Sequence, residues 1–133
     1  MHVVSKVLCE EFRQEVTGKY MLLGVYRTCR AVNNLPKEKR WKDPMRFCFF
    51  VGVEVDRSSD AGSYFIRSIS SNGESLMQDI PLEIKPEGDD FVQLPIIVLM
   101  NMKSAGDIVV NVYKNGDSEP LAELGRISVC EMD

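Results

Sequence analysis

The chain has 133 residues and a formal net charge of −4, with 44% hydrophobic and 27% charged residues. That length fits one domain, the composition is that of a folded protein, and surface scaling lets about two thirds of the unfolded surface be buried without a disulfide or metal. The acidic balance removes any global attraction to nucleic acid or anionic lipid.

The stretch "MHVVSKVLCEEF" shows no basic leader with a long apolar run and cleavage site. The longest apolar run, within "LPIIVLM" at residues 94–100, is far shorter than the roughly 20 residues that cross a bilayer. A soluble, cytoplasmic protein with no membrane partner is the expectation. Cys9, Cys29, Cys48 and Cys130 form no CxxC pair and are accompanied by one histidine, His2. Zinc is therefore poorly supported, and reduced, packed thiols are expected.

In chain order, "HVVSKVLC" and "KYMLLGVYR" read as two antiparallel strands. Gly18, in the connection "EVTGK", supplies the positive φ of the turn between them. Glu10, Glu11, Arg13, Glu15 and Lys19 then lie at a strand end and turn, with Arg13 placed to clasp the acidic residues. Helical continuation through "EEFRQEV" competes with this reading but is stopped by Gly18. "NNLPKEKRWKDP", residues 33–44, is a long polar crossover loop.

"MRFCFFVGVEV" is the clearest strand: Phe47, Phe49, Val51, Val53 and Val55 share one face, and Arg46, Cys48, Phe50, Gly52 and Glu54 the other. "SYFIRSIS" and "IPLEI" follow between turns. "FVQLPIIVLMNM" faces Val92, Leu94, Ile96, Val98 and Met100 inward, and its Pro95, lacking a donor, predicts an edge or a bulge. The last hairpin alternates Ile108, Val110 and Val112, turns at Asn115-Gly116 and returns in a final strand. About eight short strands in residues 1–133 predict an all-β, single-domain antiparallel β-sandwich, with an open β-barrel as the alternative.

The chemistry-bearing residues are sparse. A Cys–His nucleophile has only His2 to use, at a chain end that cannot hold it in geometry, and no GxSxG, HExxH or P-loop pattern is present. "DRSSDAG" and "EGDD" offer Asp56, Asp60, Glu87, Asp89 and Asp90, which are calcium ligand types but also ordinary turn residues. Met21, Met45, Met77, Met100, Met102 and Met132 are expected in the core rather than on an adaptable binding surface. The most suggestive surface feature is Lys37, Lys39, Arg40 and Lys42 around Trp41, a basic loop with an aromatic anchor. Glu38 and Asp43 dilute its charge, so a protein partner is preferred over nucleic acid.

Leu8, Cys9, Glu10, Arg13, Gln14, Glu15, Gly18, Lys19, Leu23, Gly24, Val25 and Tyr26 follow a pattern of Cys-acidic-x-x-Arg, then Gly-Lys, then Leu-x-Gly-Val-Tyr. In this opening hairpin, and in "GDIVVNVYKNGDSEPLAELGRISV", the chain resembles a family of small bacterial β-sandwich proteins of unknown function. The resemblance implies a compact sandwich with no catalytic residues to carry over, and the loop with Trp41 departs from its pattern. The expectation is a non-enzymatic protein-interaction module, able to form a homodimer, with no cofactor or metal and with Lys37, Lys39, Arg40, Trp41 and Lys42 as the contact loop. A small-ligand or carbohydrate-binding sandwich is the alternative.

Overall fold

The alternating apolar residues of the strand Met45–Glu54 set the architecture: Phe47, Phe49, Val51 and Val53, with Val55 just beyond, are all buried. The computed structural model describes residues 1–131, in which nine strands and one helical turn, Arg57–Asp60, are arranged as two facing sheets. In chain order the strands are β1 (His2–Gln14), β2 (Tyr20–Val25), β3 (Arg30–Asn33), β4 (Met45–Glu54), β5 (Gly62–Ser70), β6 (Ile80–Ile84), β7 (Phe91–Met100), β8 (Gly106–Lys114) and β9 (Ala122–Glu131). One sheet has the order β2-β1-β4-β7 and the other β3-β9-β8-β5-β6, and neither closes into a barrel.

The fold is thus the expected all-β sandwich of about eight strands, with Arg30–Asn33 pairing as a ninth. That pairing, with β9, is parallel, whereas the other ladders are antiparallel. Four residues cannot declare themselves by alternation, and β3 takes its place only once β9 arrives beside it.

Between the sheets lie Phe47, Phe49, Val51, Val53, Val98 and Met100 from one side and Ile108, Val110, Val112, Leu124 and Ile127 from the other. Fully burying each such side chain is worth about 1.5–3 kcal/mol. Met100 and Met102 are core, whereas Met21 is exposed and Met132 lies outside the described residues. Pro95 occupies the edge strand β7 opposite Phe50 in an unbroken register, where a missing N–H removes nothing from the sheet.

The first hairpin does more than pair. Gly18 turns it with φ +86°, as expected, but Gly24 also has a positive φ, +63°, opposite Glu10. Beyond this point the arm lies over the outer face of the first sheet, where the Tyr20 ring meets Phe50 with centroids 5.1 Å apart and Phe12 packs edge-on to Tyr20. Helical continuation does not occur. Arg13 pairs with Glu11 at 3.8 Å with both side chains exposed, so the expected clasp is, among the described residues, a weak surface pair.

Candidate functional site

The basic loop is built as a turn in which the Lys39 and Arg40 N–H groups both donate to the Pro36 carbonyl, at 2.8 and 3.1 Å. Lys37, Lys39 and Lys42 are exposed, while the Arg40 Nε donates to the Leu35 carbonyl at 2.7 Å. Trp41 has φ +65°, a conformation costing a bulky residue about 1–3 kcal/mol. Two contacts hold it there: its ring packs against the core, and its indole N–H donates to Glu131 Oε1 at 2.9 Å. The aromatic member of the expected contact loop is therefore turned inward, and the three lysines form the part that faces out.

The acidic segments meet in space, but around a guanidinium. Arg57 donates through Nε to the Asp89 carbonyl at 2.7 Å and through Nη1 to the carbonyls of Lys85 and Glu87, both at 2.9 Å. Three oxygens that a cation would seek are directed at this side chain. Asp56 Oδ1 accepts from Ser58, which holds its carboxyl below the usual range. Asp60 is lowered chiefly by the Met1 ammonium, which donates to its Oδ2 at 2.8 Å. Among the described residues no group of three or more His, Cys, Asp or Glu side chains is arranged to hold a metal.

A cavity of about 510 Å³ opens beside this end, lined by Glu54, Asp56, Asp60, Asp90, Phe91 and the first two residues. On the outer face of the second sheet, Phe65 and Tyr113 stack at 5.0 Å, and the Arg67 guanidinium lies 4.9 Å from the Phe65 centroid. Arg67 also grips Asp79 through two hydrogen bonds of 2.9 and 2.7 Å, which holds the Asp79 carboxyl below its usual range. This aromatic pair already has its cation.

An apolar feature runs where the sandwich is open, between the edge strands β6 and β7. Ile80, Leu82, Leu94 and Pro95 line a cavity of about 170 Å³, which continues into a second hollow of about 210 Å³ formed by Met77, Ile97 and Leu99. Ile97 is 43% and Leu99 54% exposed. Each bordering strand carries a proline, Pro81 and Pro95, so both edges lack a donor that an added strand would use. The composition of each strand was visible in the sequence, but the neighbouring of β6 and β7 across two sheets was not.

Cys9 and Cys48 were expected as packed thiols, and both are free and fully buried, whereas Cys29 is exposed. They are direct partners in the β1–β4 ladder. Burial is the main cause that pushes both thiols up. No helix among the described residues is long and apolar enough to cross a membrane. No family model matches the chain, nor does any curated protein or solved structure match it.

Proposed function

We propose that this protein is a non-enzymatic interaction module that holds another protein at the apolar seam between β6 and β7. The observation that carries this reading is the combination of exposed Ile97 and Leu99 with Pro81 and Pro95 on the two flanking edges. An apolar strip of this kind favours association. The prolines deny the simplest form of it, strand addition, so the partner fits by presenting apolar side chains to the seam. A homodimer formed by sheet pairing would use β2 or β3, the edges on the opposite side. Four free cysteines fit a cytoplasmic setting.

The test is capture of a partner by the purified protein, comparing two surface variants of unchanged fold. Ile97→Lys with Leu99→Lys should abolish capture of a protein that wild type retains in fixed stoichiometry. Lys37→Ala, Lys39→Ala and Lys42→Ala together should retain it. The reverse pattern transfers the role to the basic loop.

A second reading rests on the cavity of about 510 Å³, where Phe91 stands among Glu54, Asp56, Asp60 and Asp90. These groups suit a small cationic ligand, with an aromatic surface for its apolar part. Binding of organic amines that Phe91→Ala and Asp90→Asn both weaken would favour it over protein capture.

A further inference from the structure

The outer face of the first sheet contains two thiols that the proposed interaction does not use. Directly opposed residues of an antiparallel ladder project to the same face, with Cα atoms about 4.5–5.5 Å apart. A disulfide accepts Cα separations of about 4.4–6.8 Å, so the Cys9–Cys48 register allows one without backbone movement. An outward-facing position in a sheet would ordinarily leave these thiols in solvent, yet both are 0% exposed.

The folded-over hairpin arm accounts for this burial. Cys48 Sγ donates to the Glu10 carbonyl at 3.4 Å, and Arg46 Nη1 donates to the same oxygen at 2.8 Å. The Phe12 backbone lies near enough to Cys48, and the Glu11 backbone to Cys9, to oppose in part the rise that burial causes in each thiol. The chain segment just past the bend at Glu10 and Gly24 thus lies directly over the sulfurs. Tyr20, from the returning strand, presses on Phe50, two residues along β4 from Cys48 on the same face. The arm has few other anchors: its turn residue Val16 is wholly exposed, and Met21 is 45% exposed.

We infer that Cys9 and Cys48 form a hairpin-gated dithiol, a modification site that closes reversibly to an intramolecular disulfide when the β1–β2 arm lifts and a small disulfide such as oxidised glutathione gains access. One thiol loses its proton and attacks a glutathione sulfur, giving a mixed disulfide and releasing one glutathione thiolate. The second then attacks the protein-bound sulfur and expels the other glutathione thiolate. The protein loses two electrons and two protons, and glutathione disulfide becomes two glutathione thiols. With the bridge formed, the Cys48 proton no longer reaches the Glu10 carbonyl, and Arg46 alone holds the bend.

The experiment exposes the native protein to oxidised glutathione and follows each cysteine by intact mass and peptide mapping. The expected product has lost two hydrogens through a Cys9–Cys48 bridge, which reduced glutathione reverses and which persists when Cys29→Ser and Cys130→Ser are introduced together. Tyr20→Ala, which removes a partly exposed ring from the cover, should speed closure of the bridge several-fold while leaving the reaction of Cys29 at its wild-type rate. Stable glutathione adducts on Cys9 or Cys48, or two thiols that stay reduced in both proteins while Cys29 reacts, would overturn the proposal. So would bridge formation at one rate in wild type and Tyr20→Ala, because the arm would then not be the gate.

Discussion

The Phe49 ring of β4 packs onto the bare Cα of Gly125 in β9, and a Cβ built on that glycine overlaps the ring. The glycine is required by its neighbour rather than by its own backbone angles. Gly125→Ala should destabilise the protein by about 1–3 kcal/mol, as overpacking of a filled core does. Urea unfolding checks this. Phe49→Leu should recover part of the loss in the double variant, and additive effects of the two changes would contradict a direct clash.

Arg57 ties three carbonyls of the β6–β7 connection to the helical turn that precedes β5. Arg57→Ala leaves those oxygens to solvent and should lower stability by about 1–3 kcal/mol, with faster amide exchange at Val55, whose N–H donates to the Asp90 carbonyl. Arg57→Lys should restore only part, because an ammonium cannot reproduce the planar fork. Equal behaviour of the two variants would remove the geometric explanation.

Stability should fall on acidification. Asp60, Asp79 and Glu123 are each held below their ordinary values, by the Met1 ammonium, Arg67 and Arg126 respectively. A lowered carboxyl stabilises the fold above its unfolded pKa, and that contribution is lost as pH drops through the folded value. The urea midpoint should therefore be level above about pH 5 and decline below about pH 4. Asp60→Asn should cost about 1–2 kcal/mol at neutral pH and almost nothing near the acid limit. A pH-independent cost would place the effect elsewhere than in its charge.

Pro95 guards an edge that is otherwise a flat run of β-formers. Pro95→Val keeps the pairing with Phe50 and adds an N–H to the open side. The variant should fold with equal or greater thermal stability but associate at concentrations where wild type does not, as read by sedimentation. Unchanged mass across that range would show that the seam, not the proline, keeps the edge apart.

Much of the architecture was legible because it is local. β4 alternates so strongly that its buried residues could be named directly, Asn115-Gly116 turns where expected with φ +92° at the glycine, and Pro95 sits on an edge. What escaped is relational. Cys48 was expected to be packed, but the hairpin arm that covers it was not visible, and Gly52, on the same face of β4, is buried beside Ser5 and Phe91. Trp41 looked like a projecting anchor because its residue type favours interfaces, but its attachment to Glu131 joins residues 90 positions apart. The β6–β7 seam likewise depends on which edges of two sheets become neighbours, and no single stretch of sequence states that.

The most direct measurement is site-specific photo-crosslinking in the native host, with Ile97→p-benzoylphenylalanine compared against Lys39→p-benzoylphenylalanine. One discrete protein adduct is expected from position 97 and none from position 39. Adducts from position 39 alone, or none from either position, would contradict the seam as the place where this protein meets its partner.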